Sequence, residues 1–220
     1  VQGDLFANFT GNEPGEAKNS NLATLETLNC DYQLIDTEEK RTKIIQKLLT
    51  SKILSLDTET TGTEPMDAEL VGMSFSIAEN EAFYVPIPAD QEEALKIVNE
   101  FRPVFENENS LKVGQNIKYD MIVLQNYGVQ VKGPLFDTMI AHYVLQPELR
   151  HGMDYLAEIY LRYQTIHIDE LIGPKGKNQK NMRDLAPKDV YRYACEDADV
   201  TLKLKNVLEK ELKENDAERL

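Results

Sequence analysis

No apolar run in this chain approaches the ~20 residues that a membrane-spanning helix requires, and the opening Val1-Gln2-Gly3-Asp4 carries neither the basic nor the apolar region of a secretion signal. A membrane partner is therefore not expected, and the expected location is cytoplasmic. Cysteine is scarce as well. Cys30 and Cys195 lie far apart and form no CxxC or metal-ligand spacing, so both are expected as reduced thiols, which excludes a disulfide framework and a thiolate metal site. Positive charge is the third shortage: 24 Lys and Arg face 38 Asp and Glu, a formal net charge of -14. Affinity for phosphate normally comes from Lys and Arg, so these charges argue against a nucleic-acid partner unless the cations are gathered in one place. No internal repeat is present.

The remaining composition, 41% hydrophobic and 28% charged over 220 residues, suits one α/β domain with a sizeable core and a tail. Residues 1–30 read as a linker or flexible tail, rich in Asn, Gly, Glu, Thr and Ser around the turn-prone Gly11-Asn12-Glu13-Pro14-Gly15. Residues 31–220 read as the folded domain. An absent initiator Met and the charged ending Glu218-Arg219-Leu220 are expected of a piece of a longer protein. The cations are not evenly spread. Residues 173–183 hold Lys175, Lys177, Lys180 and Arg183 with no anion, and their glycines favour a mobile loop. Composition leaves a solvated loop and a strand-contacting loop equally open.

Periodicity orders the elements. Residues 32–35 are expected as a short strand, and Thr37 opens a helix with Ile44, Ile45, Leu48 and Leu49 on one face. Residues 53–57, 70–77 and 82–87 read as a three-stranded meander. Helices then alternate with short strands: a helix over 91–105, a strand over 111–113, a helix capped by Asn116, a strand over 129–131, helices over 137–145 and 153–160, and a long last helix from Pro187. This order indicates an α/β sheet flanked by helices.

Three separated segments present carboxylates: Asp57-Thr58-Glu59-Thr60, Asn116-Ile117-Lys118-Tyr119-Asp120 and Tyr193-Ala194-Cys195-Glu196-Asp197. Asp57 and Glu59 are two apart at a strand end and so share a face. Asp120 falls in a first helical turn, where the dipole favours a carboxylate, and Asp197 falls one turn after Tyr193 on the last helix. Carboxylates gathered by folding repel one another unless cations neutralise them, and hard ions such as Mg²⁺ or Mn²⁺ take oxygen ligands. Such a cluster points to phosphoryl transfer. Tyr193 faces the same way as Asp197, so its phenol is placed to orient a water for attack. Plain structural readings fit the other polar residues. His142, His151 and His167 are expected as structural or surface groups, Asp137 and Asp154 as caps or hydrogen-bond partners, Asp199 as structural or solvated, and Cys195 as core.

Asp57-Thr58-Glu59, Gly114-Gln115-Asn116-Ile117-Lys118-Tyr119-Asp120 and Tyr193-Ala194-Cys195-Glu196-Asp197-Ala198-Asp199 resemble the three motifs of the DEDDy class of 3′-5′ exonucleases. Phe136-Asp137-Thr138-Met139, His151-Gly152-Met153-Asp154-Tyr155-Leu156-Ala157 and Gly176-Lys177-Asn178-Gln179 resemble the proofreading domain of bacterial DNA polymerase I more closely than ribonuclease D or RecQ-associated exonucleases. The likeness covers residues 32–212. It implies an RNase H-like (DnaQ-like) α/β fold with a mixed five-stranded sheet, and two-metal hydrolysis of the 3′-terminal phosphodiester with release of 5′-mononucleotides.

By this resemblance Asp57, Glu59 and Asp197 hold one ion, Asp57 shares the second, Asp120 supports it through water, and Tyr193 with Glu59 orients the attacking water. The implied cofactors are two Mg²⁺ or Mn²⁺ ions, with Zn²⁺ an option in one site; ions about 3.5–4 Å apart clamp the attacking and leaving oxygens. The resemblance lines the path of the terminal nucleotides with Thr58, residues 60–63, Gln115, Asn116 and Tyr119, and makes Lys175, Lys177, Lys180 and Arg183 candidate strand contacts. Thr63 departs from the leucine common in the family, which bears on a wedge packed between the last two bases. The implied partners are a single-stranded DNA 3′ end, a covalently linked polymerase domain after the C-terminus and a 5′ nuclease domain before the N-terminus, in a monomer at the bacterial nucleoid. Two other readings stay open: a ribonuclease D-like RNA exonuclease and a non-catalytic module that braces DNA. A bracing module has no use for such acids beside a tyrosine.

Overall fold

Side-chain alternation along the strand Ile53–Thr60 sets the two-sided architecture. Leu54 and Leu56 enter one apolar layer, so Asp57 and Glu59, out of phase with them, are presented to the opposite face. The computed structural model describes residues 22–217. Within them one mixed sheet runs in the order β1-β4-β3-β2-β5-β6. Its strands are β1 (Asp31–Leu34), β2 (Ile53–Thr60), β3 (Leu70–Ala78), β4 (Glu81–Pro86), β5 (Leu111–Gly114) and β6 (Leu135–Asp137). The antiparallel meander β2-β3-β4 is its centre, while β1 adds in parallel to β4, β5 to β2 and β6 to β5.

The expected five strands are therefore corrected to six. The segment 129–131 is not one of them, because its apolar pattern is spent on packing. Val129 is fully buried and its N–H donates to the Leu124 carbonyl, closing the turn after a helix. Gly133, at φ +93, then turns the chain where a Cβ would press on the carbonyls of Asn107, Glu108 and Ser110. The edge strand β6 follows at Leu135–Asp137.

The helices are α1 (Glu38–Thr50), α2 (Gln91–Phe105), α3 (Ile117–Asn126), α4 (Thr138–Leu145), α5 (Met153–Leu156) continuing as a π turn over Ala157–Leu161, α6 (Ile168–Ile172) and α7 (Pro187–Glu214). Thr37 and Asp90 cap α1 and α2 by accepting the N–H of Lys40 and Glu93. One apolar layer joins α1, α2 and α3 to the sheet, with Phe75 and Phe101 stacked at 5.4 Å. Across the other face lies α7, started by Pro187 in its first turn and packed through Val190, Ala194 and Cys195 against Ala82 and Tyr84.

The expected Asn116 cap is also corrected. Asn116 adopts a left-handed conformation, φ 60, and its side chain caps nothing. Asp137 takes that role, accepting the N–H groups of Asn116 and Ile117 at the start of α3 as well as those of Met139 and Ile140 at the start of α4. Of the expected tail, residues 1–21 lie outside the described residues. From Leu22 onward the chain is seated on the domain, with Leu25 buried and Ala23 bridged to Tyr163. No described helix is long and apolar enough to cross a membrane.

Candidate active site

Because β2, β5 and β6 are parallel, their C-terminal ends at Thr60, Gly114 and Asp137 share one side of the sheet, where open α/β folds place their ligands. From β2 the side chains of Asp57 and Glu59 project toward α7, and α7 returns Asp197 to meet them. Ligand oxygens of Asp57, Glu59 and Asp197 lie within 4.8 Å of one another. Asp120 enters from α3 and is not in that tight trio. Its Oδ1 instead accepts the Thr58 hydroxyl at 2.7 Å, the side chain that β2 turns to the opposite face between Asp57 and Glu59.

Glu59, Asp120 and Asp197 are almost fully buried, and Glu59 Oε1 and Asp197 Oδ1 have no hydrogen-bond partner. A buried acceptor without a donor is costly, and two such oxygens in one cluster mark a place built for a cation. The donor set, all carboxylate oxygen, suits Mg²⁺ or Mn²⁺. Without a cation the acids resist ionisation. Burial pushes Asp57 up to about 6, and Glu59, Asp120 and Asp197 are raised well above the carboxylate range by burial and then by the charge of Asp57 beside each. Asp57 is thus the acid that the other three all feel. The Tyr193 phenol is also pushed above its ordinary value, first by burial and then by Asp197, so it keeps its proton at neutral pH.

Opposite Glu59 in the sheet is Gly72, where a Cβ would overlap the Tyr84 ring; only glycine leaves room for that ring. The sheet register then breaks between Glu59 and Thr60. This bulge ends the strand directly after the second acid and re-aims the chain into the turn at residues 60–63.

The family model described as 3′-5′ exonuclease, of the DNA polymerase A type, matches residues 32–213. The DNA polymerase I of Borreliella burgdorferi is 34% identical over 211 residues, 94% of this chain and 23% of that protein. The DNA polymerase I of Pseudomonas aeruginosa is 35% identical over 205 residues, 89% of this chain and 22% of that protein. The chain belongs to the 3′-5′ exonuclease family of DNA polymerase I. It spans less than a quarter of the length of those two relatives. In fold it is similar to Brucella melitensis NrnC, with a TM-score of 0.66 at 20% identity over 87% of this chain and 85% of that one. The catalytic core of RRP6 from Trypanosoma brucei gives a TM-score of 0.67 at 19% identity over 90% of this chain and 51% of that one.

Within this exonuclease domain the other candidate residues are differently placed. The Tyr119 hydroxyl bonds Thr60 Oγ1 at 2.6 Å and the Gly62 carbonyl at 2.5 Å, bracing the turn after Glu59. Gln115 donates to the His151 carbonyl at 2.7 Å and accepts from Thr138, while Thr63 is exposed at the turn. Lys175, Lys177 and Lys180 are exposed. Arg183 is turned inward, its guanidinium donating to the Ile87 and Leu70 carbonyls at 2.5 and 2.6 Å.

Three polar devices of the exonuclease domain have little signal in the sequence. Glu196, next to Asp197, is fully buried and accepts the Tyr163 hydroxyl and the Ile166 N–H. Asp199 is fully buried and bound by the Tyr32 hydroxyl, the Asn80 N–H and Lys203. His142 is buried with Nδ1 at 2.7 Å from His151 Nδ1, and burial followed by that second imidazole lowers its pKa.

Proposed function

We propose that this chain hydrolyses the 3′-terminal phosphodiester of single-stranded or frayed DNA, releases 5′-mononucleotides, and serves as the proofreading module of a family A DNA polymerase. The observation that carries the reading is the trio of Asp57, Glu59 and Asp197 with two buried oxygens left without donors, flanked by Asp120 and Tyr193. Two divalent ions, Mg²⁺ or Mn²⁺, fit this donor set; when bound they supply the Lewis acidity that readies a water for attack and offsets charge building on the phosphate.

The chain's own residues do the rest. Asp57, Glu59 and Asp197 hold the ions, and Asp120, fixed by Thr58, completes the charge. Tyr193 keeps its hydroxyl proton, so it orients the attacking water by hydrogen bonding and does not take its proton at neutral pH. Tyr119 holds the 60–63 turn against the cleft where the terminal nucleotides enter. Selectivity comes from the duplex: opening a matched step costs about 1.4 kcal/mol and a mismatched one less, so wrong ends reach the site more often.

A linked polymerase domain after the C-terminus and a 5′ nuclease before the N-terminus are proposed because the chain matches only 22–23% of its DNA polymerase I relatives. A cytoplasmic protein at the nucleoid is proposed from the likeness to bacterial DNA polymerase I, and a monomer is proposed with it. The test is digestion of 5′-labelled DNA and RNA strands of one sequence in Mg²⁺, with the small product identified. The expected result is a ladder shortening from the 3′ end of DNA, with nucleoside 5′-monophosphates released. Preferential loss of RNA favours the ribonuclease D-like reading, and no shortening in Mg²⁺ or Mn²⁺ leaves the bracing module.

A further inference from the structure

The turn that follows the ligand pair Asp57 and Glu59 is tied to Glu69 through the Thr61 N–H and hydroxyl, and it is fastened from two further sides. From α3, Tyr119 bonds Thr60 and the Gly62 carbonyl. On the other side, Asn181 Nδ2 donates to the Thr61 carbonyl at 2.7 Å, across 120 residues of sequence. Two residues later the Arg183 guanidinium donates to the Leu70 and Ile87 carbonyls. Leu70 is the partner of Thr60 at the bulge, and Ile87 is tied to Val71, one residue from the Gly72 that faces Glu59. The strand ends around Glu59 are therefore gathered by two side chains of one short segment. That segment is itself anchored, since Met182 is buried and Asn181 caps the 3-10 turn Met182–Asp184 by accepting the Arg183 N–H.

The same segment closes the basic loop. The Lys180 N–H donates to the Ile172 carbonyl and Gln179 to the Gly173 carbonyl, so the loop carrying exposed Lys175 and Lys177 is pinched at its base directly before Asn181. We propose that Asn181 and Arg183 are positioning residues for the metal-ligating pair, a clamp joining the base of the basic loop to the turn and strand ends that present Glu59. This rests on the proposed nuclease reading for what the carboxylates do. Arginine suits the task because its rigid planar fork aims Nη1 and Nη2 at two separate carbonyls in one fixed geometry, which a shorter, freely rotating lysine ammonium does not hold. Nη1 and Nη2 both donate to backbone carbonyls and Nη2 also lies 3.8 Å from a Glu69 carboxylate oxygen, so the proposal gives Arg183 positioning in place of phosphate contact. The outward lysines remain for that role.

The experiment compares Asn181→Ala, Asn181→Asp and Arg183→Lys with Lys175→Ala/Lys177→Ala in the full chain. Turnover on a single-stranded oligonucleotide in Mg²⁺ and calorimetric Mn²⁺ binding without DNA are both measured. Removing groups that orient metal ligands lowers metal affinity or activity by roughly 10- to 100-fold. The three clamp variants should lose kcat and weaken Mn²⁺ binding in that range, with KM for DNA within about two-fold of wild type. The lysine pair should show the reverse, a raised KM at unchanged kcat and Mn²⁺ affinity. If the clamp variants raise KM and leave kcat and Mn²⁺ binding unchanged, or change none of the three, the proposal is overturned. Should Arg183→Lys not fold, the Asn181 variants decide. If wild type degrades no DNA, the nuclease reading fails while the Mn²⁺ titration still judges the clamp.

Discussion

Thr58 sits between two acids on the same strand, and β-sheet alternation sends it to the other face, where it holds Asp120 at 2.7 Å. The resemblance groups Thr58 with the substrate path; in the fold its hydroxyl donates to the fourth carboxylate. Thr58→Val keeps the β-branched shape and removes only the donor, so it should leave the fold intact and lower kcat by roughly 10- to 100-fold, the range for orienting groups behind metal ligands. Steady-state kinetics checks this, and wild-type turnover in the valine variant would show that Asp120 needs no such support. At this scale the acids were legible because a two-residue spacing on a strand and a four-residue spacing on a helix fix which side chains align. The seats of Arg183, Glu196 and Asp199 were not. Their partners lie far off in sequence, and nothing local marks a buried side chain that bonds residues from another strand or loop.

Elements were legible where periodicity decides, as in α2, whose expected and observed spans coincide at Gln91–Phe105. They were misjudged where short apolar runs allow either packing or pairing. Val129 packs beneath the turn after α3, and the true edge strand β6 lies a few residues later. The start of α3 shows a second limit: its donors are satisfied by Asp137, which follows the helix in sequence and caps α4 as well. Asp137→Ala removes both caps at once. With a cap worth about 1 kcal/mol, the variant should lose about 2 kcal/mol, and Asp120, one turn into α3, should lose some of its fixed position. Urea unfolding reads the first effect, and a loss no larger than that of a single surface substitution would contradict the double cap.

For the whole molecule, gathering four acids in one buried cluster makes stability depend on pH and on cations. Asp57 is raised from 3.8 to about 6 by burial, and Glu59, Asp120 and Asp197 are raised well above the carboxylate range by burial and then by Asp57. Between the unfolded and folded pKa values these acids hold more protons in the native state than in the unfolded one, so without divalent ions the cluster's contribution to stability is greatest below about 4 and is lost as pH rises through 6 and beyond. Lys112, held by three backbone carbonyls and lowered to about 8 by burial, works in the opposite direction only above that pH. Melting in EDTA should therefore show a lower Tm at pH 7.5 than at pH 5, with Mn²⁺ or Mg²⁺ restoring it at pH 7.5. A Tm that is flat or rising over this range in EDTA would contradict the buried-cluster account. The net charge of -14 acquires a different meaning at this scale. Part of it is the buried carboxylate cluster, and on the proposed reading affinity for a DNA strand falls to the outward lysines of the 173–180 loop.

The central claim, that Asp57, Glu59 and Asp197 form the hydrolytic centre, is tested most directly by digesting a labelled single-stranded oligonucleotide in Mg²⁺ with wild type, Asp57→Ala and Asp197→Ala. Wild type should shorten the strand from its 3′ end, and each variant should do so on the order of 10³-fold more slowly, a loss of about 4 kcal/mol. Variants that digest at the wild-type rate would contradict it.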